Sequence, residues 1–198
     1  MRTRFRGGLR AVRLSFSIIA TLATLVTLTT FNLGCNATRP TDFTLMSASG
    51  PVSLKDFRGK VVLLYFGYTL CPDVCPTSLA AISAGLNKLT PAEQKKVAVL
   101  FVSVDPERDS LDRLKAYATA FHPLVTGISG APTEVAEVAR KFGAFYQKAQ
   151  VGSAAGYMVD HSSRTYLIGP DGKLETSLLH GAKSDEVAGT IRKYLPKE

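Results

Sequence analysis

The residues with the most evident chemistry are two cysteines, Cys71 and Cys75, in the segment GYTLCPDVCP at 67–76. They follow an apolar run and precede a stretch with helical periodicity, so we expect both thiols at the junction of a strand and a helix. Residues four apart share one face of a helix, and both sulfurs can therefore reach one metal ion or each other. The positive end of a helix at this junction favours thiolate over thiol.

Sulfur ligands restrict the choice of metal. Thiolates suit monovalent copper, zinc and iron–sulfur centres, and they suit magnesium and calcium poorly. Two thiolates can hold Cu(I), but a stable site usually needs a further ligand, for which the chain offers only His122, His161 and His180. His161 is favoured because it follows a glycine-rich segment at the edge of a predicted strand, and functional loops gather at one end of a doubly wound sheet. Spacing alone does not separate it from a surface histidine, and the other two are interpreted as ordinary loop residues.

Other interpretations of the same residues stay open. A zinc site with two cysteines, one histidine and a water has the same spacing. A purely structural disulfide is disfavoured because so short a loop restricts the unfolded chain little. Asp73 is expected to cap or charge the helix start rather than to bind metal. The acidic stretch 105–109 could be a metal patch, but Arg108 and a proline within it favour a solvated loop.

The N-terminal region has the composition of a targeting segment. An uncharged stretch at 14–34, rich in Leu, Ile, Val and Thr, follows five arginines, namely Arg2, Arg4, Arg6, Arg10 and Arg13. This pattern is typical of an export signal or a membrane anchor. The stretch ends in Gly34-Cys35, which resembles the site where bacterial lipoproteins are lipidated, with an uncleaved anchor or ordinary cleavage as alternatives. Each outcome places the domain outside the cytoplasm, facing the periplasm or another extracytoplasmic space and close to a membrane.

The net charge of +8 belongs mainly to that segment. Removing its five arginines from the 24 basic residues leaves 19 against 16 acidic residues, a net charge of +3. No basic run and no interleaving of basic with aromatic residues remains, so nucleic acid is not an expected partner. The predicted organisation is a signal or anchor at 1–35, a tether at 36–42 and one domain at 43–198.

Strands alternate with helices along the domain. Uniformly apolar runs at 61–66 and 97–104 predict two buried strands, and apolar residues at helical spacing predict a helix after the cysteines. The remaining predicted elements are an N-terminal hairpin at 43–54, helices at 110–121, 132–142 and 184–195, and strands at 157–160 and 165–168 with a hairpin partner. This order implies an α/β fold with a single central sheet flanked by helices. The segment 147–156 is predicted to be a mobile loop, and Ser184 or Asp185 to cap the last helix.

Several separated motifs resemble the Sco/SenC family when taken together. They are GYTLCPDVCP, FVSVDPERD, YMVDHSS and YLIGPDG, and the likeness extends from about Asp42 to Leu195 in the expected order. The resemblance implies a thioredoxin-like fold and copper bound by the two cysteines of a CxxxC motif and one later histidine. By position these are Cys71, Cys75 and His161. Leu70 departs from the pattern, because many relatives have a polar residue or histidine before the first cysteine.

The resemblance also implies a function. Members of the family assist assembly of the binuclear copper centre of cytochrome c oxidase, as copper donor, as thiol reductant, or both. The partner would then be the copper-bearing oxidase subunit or another copper protein, and the cargo Cu(I), Cu(II) or both. We hypothesise that His161 swings onto and off the cysteine pair. A thiol–disulfide oxidoreductase remains the alternative, since it needs Cys71 and Cys75 but not the histidine; a peroxidase is disfavoured because its usual Pro-Thr-Cys arrangement is not matched.

Overall fold

A computed structural model describes residues 41–150 and 156–197. The predicted targeting segment with Cys35, and the tether up to residue 40, lie outside the described residues. Residues 151–155 of the predicted loop lie outside them as well. Within the described part of the chain, no helix has both the length and the apolar composition that crossing a membrane requires. The described residues all belong to one compact unit.

The described residues form nine strands, five α-helices and one 3₁₀ turn. The strands are β1 (Thr44–Ser47), β2 (Gly50–Ser53), β3 (Val61–Gly67), β4 (Val97–Ser103), β5 (Val125–Ile128), β6 (Tyr146–Gln150), β7 (Tyr157–His161), β8 (Thr165–Ile168) and β9 (Leu174–Leu178). The helices are α1 (Val74–Leu86), α2 (Pro91–Lys95), α3 (Leu111–Phe121), α4 (Pro132–Phe142) and α5 (Ser184–Tyr194), and the 3₁₀ turn is Leu54–Phe57.

The central sheet has five strands in the order β5-β4-β3-β8-β9. β3 pairs in parallel with β4, with Val61 opposite Val97, and β8 runs antiparallel along its other side. Every residue of β3 and β4 is buried, as expected for apolar strands in the middle of a covered sheet. The backbone N–H of Val104 donates to the Gly67 carbonyl at 2.8 Å, so the segments that leave these two strands begin side by side. The loops after β3 and β4 therefore lie side by side at the carboxyl ends of these two parallel strands.

Helix α1 carries the predicted apolar stripe into the core. Cys75, Leu79, Ile82 and Leu86 are all buried, with at most 1% of their surface exposed. They recur at intervals of three and four residues, which places them on one face of the helix. The stripe anchors the helix on the sheet and fixes the direction in which its first turn presents Cys75.

The sequence-based fold prediction is confirmed in its α/β class, its central sheet and its N-terminal hairpin, β1–β2. It is wrong at 147–150, for which the sequence predicts a mobile loop and which forms part of strand β6. β6 pairs antiparallel with β7, with Tyr146 opposite His161. Most side chains of β6 are polar and at least partly exposed, so no run of apolar residues marks this strand.

The predicted cap of the last helix is also wrong. Lys183 occupies the N-cap position of α5 and no side-chain cap bond forms there. Ser184 is already the first helical residue, and the carboxylate of Asp185 pairs instead with the ammonium of Lys88 at 2.5 Å. Lys88, nearly one hundred residues away in the chain, thus binds the Asp185 carboxylate, which the local sequence predicts as a helix cap.

Candidate metal centre

The cysteine segment runs from the end of β3 into the first turn of α1. Cys71 lies in the connecting loop and Cys75 is the second residue of the helix, as the sequence predicts. Pro76 falls in the first turn, where a missing N–H breaks no helical hydrogen bond. Cys75 is fully buried and Cys71 is 9% exposed. A Cβ added to Gly67 would lie 2.6 Å from the Cys75 sulfur, so only glycine leaves that sulfur its place.

His161 ends strand β7 and meets both sulfurs. Its Nε2 lies 3.2 Å from Cys75 Sγ and 3.8 Å from Cys71 Sγ. The three ligand atoms all lie within 4.8 Å of one another, and within the described residues this is the one such group of metal-ligating side chains. The structure therefore brings together the three residues that the sequence singled out.

The orientation of the imidazole follows from its neighbours. Nδ1 lies 3.1 Å from the carbonyl oxygen of Ser162, and a carbonyl only accepts, so Nδ1 carries the proton. Nε2 therefore presents its lone pair to the sulfurs, which is the arrangement of a metal-ligating histidine. The rings of Tyr65 and Tyr68 stand edge-on to the imidazole, at centroid distances of 6.2 and 5.8 Å. They hold the ring in this orientation by packing.

The two sulfurs differ in protonation. A hydrogen bond from the Cys75 thiol lowers the pKa of Cys71 far below its usual range, although burial opposes this shift. The same bond to Cys71, together with burial, raises the pKa of Cys75 above its usual range. At neutral pH the pair therefore consists of one thiolate, at Cys71, and one thiol, at Cys75.

The other histidines lie outside this group, in agreement with the sequence interpretation. His180 is exposed, with its Nδ1 3.1 Å from the Ser78 hydroxyl. His122 is buried, and its Nδ1 accepts a hydrogen bond from the backbone N–H of Leu124 at 3.1 Å. Asp73 occupies the N-cap position of α1, but its side chain makes no cap hydrogen bond.

The acidic stretch 105–109 is not the solvated loop that the sequence predicts. Asp105 is fully buried and Asp109 is 3% exposed. Asp109 accepts hydrogen bonds from both the backbone N–H and the hydroxyl of Thr69, at 3.0 and 2.5 Å. Asp105 is paired with Arg108. Sequence reasoning missed these roles because Thr69 lies 40 residues from Asp109 in the chain. The local signals are the position directly after a buried strand and the neighbouring Arg108.

A cleft of about 290 Å³ opens beside the site. Its lining includes Cys71 and His161 and the exposed residues Met158, Asp73 and Asp160. Cys75 does not line this cleft, consistent with its complete burial. Two soft sulfurs and one imidazole nitrogen suit a monovalent or borderline-soft cation, and they leave room for an incoming ligand from the cleft side. The arrangement can thus hold such an ion and still admit an exchange partner.

Comparison with known proteins gives a consistent result. A family model described as SCO1/SenC matches residues 35–196. The mitochondrial protein SCO2 homolog of Bos taurus is 36% identical over 157 residues, which cover 78% of this chain and 59% of that protein. The chain therefore spans less than two thirds of that relative's length.

Two solved structures resemble the chain closely. Apo Sco1 from Thermus thermophilus is 45% identical, with a TM-score of 0.71 and coverage of 77% of this chain and 89% of that one. ScoI from Bradyrhizobium japonicum with copper bound is 37% identical, with the same TM-score and coverage of 78% and 98%. These similarities confirm the thioredoxin-like fold class.

Proposed function

The chain belongs to the SCO1/SenC family, and on that premise we propose that it is a metallochaperone that binds copper and delivers it to a copper-bearing subunit of cytochrome c oxidase. The observation that carries the proposal is the meeting of Cys71, Cys75 and His161 around one point. Relatives with copper bound and the same fold support the choice of metal. Copper is here a cargo, and its release matters as much as its binding.

The donor set suits such a cargo. The Cys71 thiolate is ready to bind, and the Cys75 thiol loses its proton when a cation replaces it, because metals bind the thiolate. Two thiolates and one imidazole accept Cu(I) and tolerate Cu(II). A protein ligand set of three leaves the coordination shell incomplete. A receiving protein can therefore add its own ligand from the cleft side before the chaperone releases the copper ion.

Substitution of His161 tests the three-ligand site. We expect His161→Ala to abolish tight copper binding and to spare thiol–disulfide exchange, which needs only the cysteines. His180→Ala is the matched control, because it removes an exposed histidine that lies outside the site. Competition between the chain and a chromophoric Cu(I) chelator measures affinity. An unchanged affinity in His161→Ala would refute the site.

A thiol–disulfide oxidoreductase is the second candidate. It is favoured by the lowered pKa of Cys71 beside a second free thiol, which is the arrangement of a reductant. Reduction of an oxidised copper-site peptide, measured before and after His161→Ala, separates the two. If the wild-type chain reduces the peptide but binds no copper, the reductant is the function. Visible absorption on adding Cu(II) separates copper from zinc, because Cu(II)–thiolate absorbs visible light and Zn(II) does not.

The location of the domain is part of the proposal. We place it on the extracytoplasmic side of a membrane, held by residues 1–35, with Cys35 as the lipid attachment point or with the segment as an uncleaved anchor. The basic, then apolar composition of that segment supports this. Metabolic labelling of the wild-type chain and of Cys35→Ala with a radioactive fatty acid tests the lipid attachment, since lipidation predicts label in the wild-type chain alone, and membrane fractionation of the wild-type chain tests its location.

A further inference from the structure

We infer that the loop Asp105–Asp109, here called the bracket, is a positioning element that holds the two ligand-bearing segments of the metal centre against each other. One end of the bracket fixes the loop before Cys71, and the rest fixes the hairpin that ends in His161. The inference rests on the proposed function, because it concerns the same three ligands. Neither Asp105 nor Asp109 is itself part of the metal-ligating group.

The β6–β7 hairpin depends on a positioning element because it does not pair with the central sheet. Among the described strands, β6 and β7 pair only with each other and form a separate two-stranded sheet. An isolated two-stranded hairpin is marginally stable in water, so its position depends on side-chain contacts with the rest of the domain. His161 is the last residue of β7, and its distance from the sulfurs follows from where the hairpin is held.

Arg108 and Asp105 contact the β6–β7 hairpin at Tyr157. The centre of the Arg108 guanidinium lies 3.7 Å from the centroid of the Tyr157 ring, and its Nη1 donates to the Tyr157 carbonyl at 2.9 Å. The Tyr157 hydroxyl donates to Asp105 at 2.7 Å. The planar cation, the ring and the buried carboxylate thus form a closed set of contacts across the two segments. Such contacts are stronger away from water than at a surface.

Asp109 binds the cysteine segment through hydrogen bonds. Besides its two bonds from Thr69, its carboxylate accepts the Ser103 hydroxyl at 2.6 Å, which ties it to the end of β4. Thr69 stands two residues before Cys71. Arg108 also lies 5.7 Å from the ring centroid of Tyr68, the residue before Thr69. Five consecutive residues therefore contact both sides of the metal centre.

One hydrogen bond joins the cysteine segment to the β6–β7 hairpin, and its stability can be used to test the role of the bracket. The backbone N–H of Val159, in β7, donates to the hydroxyl of Tyr68, in the cysteine segment, at 3.3 Å. If the bracket holds the hairpin, loosening it at Tyr157 exposes this amide to exchange with solvent. This readout needs no metal.

The test compares the full-length wild-type chain with Tyr157→Leu, which removes the ring and hydroxyl and leaves the Arg108–Asp105 pair in place. Tyr157→Phe, which keeps the ring under the guanidinium, is the conservative variant. Arg192→Gln is the matched control: Arg192 also binds a carboxylate and a backbone carbonyl, those of Glu93 and Lys88, but away from the metal centre. Arg108→Lys, which keeps a cation beside Asp105, replaces Tyr157→Leu if that variant fails to fold.

Two measurements are made on each chain, namely Cu(I) affinity by anaerobic chelator competition and hydrogen exchange of the Val159 amide in the copper-free form. We expect Tyr157→Leu to weaken Cu(I) binding about 10- to 100-fold, the range found for supporting residues of metal ligands. We expect its Val159 amide to exchange faster. Tyr157→Phe should recover most of both properties, and Arg192→Gln should leave both unchanged.

Unchanged Cu(I) affinity or unchanged Val159 exchange in Tyr157→Leu would overturn the inference, and so would an equal effect of Arg192→Gln. The failure of the proposed function looks different. In that case the wild-type chain itself binds no Cu(I), and the exchange of Val159 in the copper-free variants alone decides whether the bracket holds the hairpin.

Discussion

At the scale of single residues, the site depends on one sulfur that the core encloses completely. Cys75 is fully buried, and His161 Nε2 lies nearer to it than to Cys71. The space for its sulfur exists because residue 67 has no side chain. The buried sulfur therefore acts as the fixed point of the centre, and Cys71 and His161 face the cleft.

Gly67→Ala should damage the centre directly. The new Cβ would stand 2.6 Å from Cys75 Sγ and 2.9 Å from Phe101 Cε2, so the sulfur must shift. We expect the free energy of unfolding to fall by about 1–3 kcal/mol, with weaker Cu(I) binding, measured by denaturant titration and chelator competition. Gly189→Ala, at a helical position where the new Cβ meets no atom within 4 Å beyond its own stretch of helix backbone, should instead leave copper binding unchanged. Unimpaired copper binding in Gly67→Ala would contradict the assigned place of the sulfur.

The unequal protonation of the cysteines predicts an unusual pH profile. The rate of alkylation of an ordinary thiol declines as pH falls below about 8.5. The hydrogen bond from Cys75 lowers the pKa of Cys71 from 9.0 to about 3, so its alkylation by iodoacetamide should stay nearly constant across the neutral range. Because the folded-state pKa is depressed, the thiolate's contribution to stability is complete above pH 9.0 and is lost as pH falls toward about 3. Mass spectrometry of the modified site provides the check, and preferential modification of Cys75 would oppose this assignment.

At the scale of elements, the success of sequence reasoning depends on whether the signal is local. β3 and β4 are predictable because every residue in them is apolar, and α1 because its stripe recurs at helical spacing. β6 is not predictable in this way, since its polar residues gain strand structure only by pairing with β7. The motif GYTLCPDVCP identifies the cysteines. His161 is favoured by its place after a glycine-rich segment at the edge of a predicted strand and then by family resemblance, not by spacing.

The burial of Asp105 and Asp109 marks the limit of the same reasoning. A charged residue in an acidic stretch is usually solvated, and these two are buried because Tyr157 and Thr69, from distant segments, bind their carboxylates. Tyr157 and Thr69 lie 52 and 40 residues away, whereas the nearby partners Arg108 and Ser103 bind the same carboxylates from within the local sequence. No window of the length used to predict a helix or a strand contains both members of either distant pair.

Asp109→Ala should loosen the loop that presents Cys71. It leaves the hydroxyls of Ser103 and Thr69 without their acceptor, and such a loss at a charged, buried group costs roughly 2–3 kcal/mol. Denaturant unfolding of the reduced chain measures this change. Asp171→Ala, in an exposed turn, serves as the control and should change stability far less. Equal stability of the two variants would contradict a structural role for the Asp109 carboxylate.

At the scale of the whole molecule, the centre joins segments that are far apart in the chain. Cys75 and His161 are 86 residues apart, and the unfolded chain does not hold them together. A cation that binds all three ligands therefore favours the folded state. Copper binding and folding are consequently linked, although the fold has its own apolar core.

Cu(I) should accordingly raise the stability of the reduced chain. At a free concentration one hundred times the dissociation constant, the gain approaches about 2.7 kcal/mol, less whatever binding the unfolded thiols retain. Thermal unfolding under anaerobic conditions, with and without Cu(I), measures the effect, and a strong Cu(I) chelator should reverse it. His161→Ala should show a much smaller gain; an equal gain would mean that the histidine does not take part.

The most direct test of the central claim is the X-ray absorption spectrum of the chain loaded with one equivalent of Cu(I). The structure predicts a first shell of two sulfur atoms and one imidazole nitrogen, with the nitrogen lost in His161→Ala and one sulfur lost in Cys71→Ser or Cys75→Ser. A first shell with fewer than two sulfurs, or one that His161→Ala leaves unchanged, would contradict a site built from these three side chains.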